Sequence, residues 1–301
     1  MLKFLLVPTF LFAYGCTTTA HIERKLIPDM NINKKEPIVV KEFSGENGKE
    51  VSAIIENALL EKGYSLIDRE NLLEGAIANN KIPAAAYVVS GKIEEFGPDR
   101  NVKVDSVICS KNEGEFQATR TRETRTGTIS AQIRFSVPKT SKILLSKKIE
   151  GRVSHTSEDL SCENIGPSIK PTTKELMEGA RAAFRSEFLK LIEPYFESFE
   201  VELFKVSDVP EMKKGNELMQ NQRLKEALQL YEQAVHKIEK MDVSDADKGH
   251  VFYSYGVALG YLGDERFKEN IAKAMTYNTR AYAYEREMRR LIELQPKIQK
   301  Y

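Results

Sequence analysis

From Thr128 to Val137 the chain alternates without a break, with Ile129, Ala131, Ile133, Phe135 and Val137 on one parity and Ser130, Gln132, Arg134 and Ser136 on the other. Successive side chains of a strand point to opposite faces, so this run is an amphipathic strand with one face for a core and one for water. A slip of one residue would turn the whole apolar set into solvent, so its register is tightly held. The rest of the chain must therefore supply partner strands and a layer to cover the apolar face. The nearest candidate partner is Glu115–Arg125, where the parity set by Phe116 and Ala118 continues to Arg120 and Arg122. The two runs read as a hairpin of a soluble β-meander. An arginine on a lipid-facing strand costs about 2 to 4 kcal/mol near a bilayer midplane, which makes this hairpin a poor spanner. The Thr and Arg alternation from Thr119 to Thr126 reads either as a solvated edge that discourages strand pairing or as a strip for polyanions.

Upstream, Ile38-Val39-Val40 is a short β-branched strand, and Val51, Ile54, Ile55, Ala58 and Leu59 repeat at helical spacing before Gly63 closes the helix. Tyr64–Ile67 is a second strand, Asp68 caps a helix carrying Leu72, Leu73, Ala76 and Ile77, and Ala86–Ile93 is a third strand. Downstream, Lys142–Ile149 adds a strand. Thr172 and Glu175 have capping-box spacing, opening a helix with Leu176, Ala180, Phe184 and Leu191 on one face that ends near Pro194. Strands and helices in this order predict an α+β or α/β domain, a mixed sheet with packed helices, over residues 37–197.

Residues 198–301 carry a wholly helical pattern. Gly215, Ala227, Tyr231 and Ala234 fall at tetratricopeptide-repeat spacing, where small residues let two helices approach and an aromatic fills the gap. A degraded second copy runs from Tyr253-Ser254-Tyr255-Gly256 through Leu262-Gly263-Asp264 to Ala272 and Ala274. A helix from about Thr279 to Leu294 would cap the stack, since two repeats are few for a free-standing solenoid. The alternative is a generic bundle of helical hairpins. An all-α, TPR-like domain predicts a concave peptide groove, whose positions on the first helix are Met212, Asn216, Met219 and Gln220.

The stretches Val39-Val40-Lys41-Glu42-Phe43-Ser44-Gly45, Leu59 through Ile67-Asp68-Arg69 to Leu73, and Tyr87-Val88-Val89-Ser90-Gly91-Lys92-Ile93 together resemble the CsgG and LpoB type of bacterial envelope lipoprotein. The resemblance covers roughly residues 37–195. It implies either a ring-forming secretion channel, whose hairpin would be residues 115–137, or an activator of a cell-wall synthase. Asp68 is equally accounted for as a helix cap.

Met1–Cys16 has one cation at Lys3, an apolar run from Phe4 to Ala13, and small residues before a cysteine. It is too short to span a bilayer and reads as a signal peptide over residues 1–15. Ala13-Tyr14-Gly15-Cys16 resembles a relaxed bacterial lipobox, which implies lipidation of Cys16, palmitate included; an ordinary cleavage site that contains a cysteine is the other reading. Residues 16–36 are polar and read as a lipidated tether. Removing the signal takes only Lys3, and since the chain has 45 Lys plus Arg against 44 Asp plus Glu, the mature protein is neutral. Attachment to a membrane must then come from lipid, and no field favours nucleic acid. Thr17 in place of Asp, by resemblance to diderm sorting, places the protein on the periplasmic face of the outer membrane or the cell surface. In that compartment Cys109 and Cys162 form either a disulfide, worth about 4 kcal/mol by loop entropy, or two buried thiols.

His21, His155, His236 and His250 are scattered, Glu94 and Glu95 point apart on a strand end, and no phosphate loop, nucleophile elbow or zinc helix is present. The sequence thus predicts no enzyme, no metal site and no cofactor. It predicts an envelope protein or peptide as partner, with self-association through the α/β domain as a further expectation.

Overall fold

The computed structural model describes residues 17–67, 87–111, 114–160, 170–277 and 282–298. Cys16, Cys162 and the helix expected after Asp68 lie outside the described residues. The protein is mixed α and β, with six strands and seven helices among the described residues, in two compact units. One unit is Pro28–Glu193; the other joins Met1–Ile27 to Pro194–Tyr301.

The first unit is a sheet with helices on it. Strands β2 (Ile38–Val40), β3 (Tyr87–Lys111), β4 (Gly114–Val137) and β5 (Lys142–Leu160) lie side by side in that order. β2 runs parallel to β3, and the two ladders of β4 are antiparallel. Helix α1 (Gly48–Glu61) ends at Gly63, whose φ of 77° is the left-handed conformation that glycine adopts without strain. Helix α2 (Thr173–Lys190) opens with the capping box: Glu175 N–H donates to Thr172 Oγ1 at 3.2 Å, and Thr172 N–H to the Glu175 carboxylate at 2.7 Å. Ile129, Ala131, Ile133 and Phe135 are fully buried beneath these helices, with Phe135 stacked on Phe188 at 6.0 Å.

Two glycines let α2 lie directly on the sheet backbone. A Cβ on Gly151 would sit 2.2 Å from Phe184 N, and one on Gly127 would sit 2.6 Å from Leu176 O. Here the expected hairpin fails. Residues 115–125 and 128–137 are one continuous strand, so they do not pair with each other; both pair with β3 and β5. Thr126-Gly127 is not a turn, because the glycine serves the helix crossing. The third strand is also far longer than Ala86–Ile93: it passes through Gly97 and Pro98 and pairs with β4 as far as Lys111. Pro98 is tolerated because β2 pairs only with Tyr87–Val89 and Ser44 bridges only Lys92, which leaves β3 beyond Ile93 without a second neighbour among the described residues.

The second unit is not all-α. Strand β1 (Thr17–Leu26) pairs antiparallel with β6 (Tyr195–Phe204), from Thr17 opposite Phe204 to Leu26 opposite Tyr195. This ribbon shares a core with α3 (Pro210–Gln220), α4 (Leu224–Ile238), α5 (Asp245–Tyr261), α6 (Phe267–Tyr277) and α7 (Tyr282–Leu294). The tether expected over residues 16–36 is therefore corrected: Ala20, Ile22 and Leu26 alternate and are buried, which makes their segment a strand of the helical unit. A Cβ on Gly215 would meet the Tyr231 ring at 2.5 Å, and one on Gly256 would meet Ile271 at 2.6 Å. Small residues thus set the close approach of α3 to α4 and of α5 to α6.

Candidate binding surfaces

The groove positions on α3 are not open. Met212, Asn216 and Met219 are buried; Asn216 donates its amide to Phe204 O at 2.9 Å and accepts the Tyr231 hydroxyl at 2.8 Å. Gln220 is exposed and donates to Thr19 O at 3.1 Å; Gln222 donates to His21 O and accepts from Glu23 N–H at 3.0 Å. These amides satisfy backbone groups of the ribbon, the role an incoming peptide would otherwise fill. The sequence expectation of a peptide groove at these four residues is thus corrected: the chain's own β1–β6 ribbon occupies that face.

Behind the ribbon lies a polar and aromatic seam. His250 stacks on Phe204 at 4.2 Å, its Nδ1 is 2.5 Å from Tyr284 Oη, and burial holds the imidazole pKa below the ordinary histidine range. Tyr261 donates to Glu287 at 2.7 Å, and Arg290 pairs with the same carboxylate at 3.0 Å. Burial pushes the Glu287 pKa up, against the pull of Arg290. Two open clefts flank the unit, one of about 370 Å³ bordered by Arg24, Gln222 and Arg223 and one of about 350 Å³ along α7. Among the described residues no three His, Cys, Asp or Glu side chains group as metal ligands, and no helix is long and apolar enough to cross a membrane.

In the α/β unit the notable surface is the outer half of β3 and β4. Where the sheet leaves α2, Glu123 is 4 % exposed and is held by Lys170 at 2.6 Å and by Arg125 and Arg100 at 2.7 Å each. These cations pull its carboxyl down to about 2. Beyond this knot Val102, Val104 and Ile108 are exposed on the same parity of β3, opposite Glu123, Thr121 and Gln117. The other parity carries cross-strand ion pairs, Arg120 with Asp105 at 3.5 Å and Arg122 with Glu158 at 3.1 Å. No local pattern points to this apolar strip, because Val102, Val104 and Ile108 are interleaved with Lys103, Asp105 and Ser106 after a Gly-Pro pair. Cys109, near the end of the strand, is disulfide-bonded; the chain's other cysteines, Cys16 and Cys162, lie outside the described residues.

No family model matches the chain, and no curated protein matches it. Among solved structures it is similar to the PelC dodecamer of Paraburkholderia phytofirmans, at 15 % identity over 58 % of this chain and 97 % of that one, with a TM-score of 0.26. It is also similar to a minor lipoprotein of Acinetobacter baumannii, at 8 % identity over 50 % of this chain and 84 % of that one, TM-score 0.25. A third is lipoprotein GNA1162 of Neisseria meningitidis, at 18 % identity over 40 % and 83 %, TM-score 0.23. Bacterial lipoproteins are thus among its structural neighbours, at scores too low to carry function across.

Proposed function

We propose that the protein is a non-catalytic binding and assembly protein of the bacterial envelope, anchored by lipid on Cys16, that captures a protein partner with the outer half of β3 and β4. The observation that carries this reading is the strip of Val102, Val104 and Ile108, 45, 63 and 73 % exposed, along a strand whose outer edge has no neighbour among the described strands. An extended segment adding to that edge would gain main-chain hydrogen bonds and bury the strip. In this reading the helices, with their TPR-like spacing, clamp the chain's own ribbon, and the α/β unit is CsgG- or LpoB-like. A Cys109–Cys162 bridge would fasten the outer end of β3. The channel reading is opposed by Arg120, Arg122, Asp105 and Glu158 on one face of the same strands and by Glu123 with its three cations at the base of the other. The test is partner capture from detergent-solubilised membranes, comparing the native chain with a Val104→Lys/Ile108→Lys variant. Both positions are exposed, so neither substitution removes a buried side chain. Loss of one defined partner is the expected result; an unchanged partner set refutes the assignment to this strip.

A further inference from the structure

β1 begins at Thr17, so no spacer separates the strand from Cys16. Consecutive Cα atoms are about 3.8 Å apart, and a lipid on the Cys16 sulfur would hold Thr17 within about 10 Å of the acyl–headgroup boundary. The contacts along the ribbon then fix which part of the helical unit lies at that end. Thr17 is opposite Phe204. Helix α7 runs beside the ribbon from there: Tyr284 packs on Phe204 at 5.6 Å, Arg286 pairs with Glu202 at 2.8 Å, Arg290 reaches Glu200 O at 2.8 Å, and Ile298, beyond the helix, bridges Leu26. Helix α3 runs the same way, with Asn216 at Phe204 and Gln220 at Thr19. So does α5, with His250 on Phe204 and Tyr261 on Phe199 at 5.6 Å. The N-termini of α3, α5 and α7 therefore all lie at the Thr17 end.

We propose that this end of the helical unit is a membrane-facing surface, seated on the lipid headgroups, with Tyr282 at headgroup level and the ribbon standing away from the bilayer. The proposal rests on the lipidation of Cys16. Tyr282, in the first turn of α7, is 74 % exposed, an amphipathic ring of the kind that sits at membrane interfaces. Lys205, Lys213 and Lys214 are exposed at the same end, beside Asp208, Asp245 and Asp247. Mixed charge gives no net attraction, so the orientation comes from the short covalent link and the aromatic, not from a polybasic patch. At about 3.3 Å per residue, the Leu26 end of β1 stands about 30 Å away.

The chain contains no tryptophan, so a single introduced one reports its position alone. The native acylated protein is placed in vesicles whose lipids are brominated next to the headgroup. Emission is compared for Tyr282→Trp and for Phe196→Trp; Phe196 is 65 % exposed at the far end of the ribbon, opposite Lys25. The expected result is loss of emission for the first variant and none for the second. Equal quenching of both, quenching of neither, or quenching of the second alone overturns the proposal. The intact mass of the extracted protein reads acylation separately: a chain without acyl mass refutes the anchor and this surface with it, whereas an acylated chain with the wrong quenching pattern refutes only the surface.

Discussion

Replacing Gly151 by alanine isolates one contact, the seating of α2 on the sheet. The new methyl would sit 2.2 Å from Phe184 N, 2.4 Å from Ala180 O and 2.6 Å from Phe184 Cα. Ordinary contact needs about 3.5 Å, so helix and strand must part by about 1 Å. All three atoms belong to helix backbone, and no side-chain rotation relieves the clash. Parting them loosens Phe184, Phe188 and Ala180, which are fully buried. Overpacking of this kind costs about 1 to 3 kcal/mol and more where backbone must move, against about 0.5 to 1 kcal/mol recovered by removing a strand glycine. A net loss of about 2 kcal/mol follows, or roughly 30-fold faster amide exchange wherever exchange proceeds by opening of this unit. The assay is hydrogen exchange read on peptides from Thr173–Lys190, with Gly97→Ala as control, since a Cβ there meets nothing within 4 Å. Unchanged α2 protection in Gly151→Ala, or equal loss in the control, refutes the reasoning.

Three further outcomes are expected. Asn216→Ala leaves the Tyr231 hydroxyl and Phe204 O without their partner and destabilises the helical unit by about 1 to 3 kcal/mol, read as a lower urea midpoint for that unit. His250 has a folded pKa lowered by burial, so the unfolded chain binds its proton more readily and stability falls as pH drops below about 6.5; thermal scans from pH 8 to 5 show that decline in the native protein and a shallower one in His250→Phe. Glu123, held down to about 2, contributes stability above the ordinary carboxylate range that is lost as pH falls towards 2; its carboxyl carbon in an NMR titration moves with a midpoint near that value, and a midpoint above about 4 shows that the cation knot does not form.

Local signals that need only a few neighbouring residues are readable in the chain itself. Thr172 and Glu175 announce the capping box, Gly63 the end of α1, and the parity of Ile129–Phe135 the buried face of β4. What escapes such reading is set by distant partners. Gly97-Pro98 looks like a stop, yet β3 continues because β4 supplies hydrogen bonds along its other side. Thr17–Leu26 looks like linker because polar residues dominate; its signal is the alternation of Ala20, Ile22 and Leu26, which means little until β6 lies beside it. Met212, Asn216, Met219 and Gln220 do lie on α3, but their face is filled, and nothing in residues 198–301 reveals that the N-terminal strand fills it.

Because the α/β unit is inserted between β1 and β6, the chain emits its first strand long before the partner of that strand exists. The α/β unit, contiguous in sequence, can fold as soon as it emerges. Meanwhile Ala20, Ile22 and Leu26 have no apolar surface of their own to rest on. Closure of the helical unit is then the last event of folding, and it waits on the carboxyl-terminal helices. A chain interrupted before β6 would carry the complete α/β stretch and an N-terminal strand that lacks its partner, an exposed edge prone to aggregation.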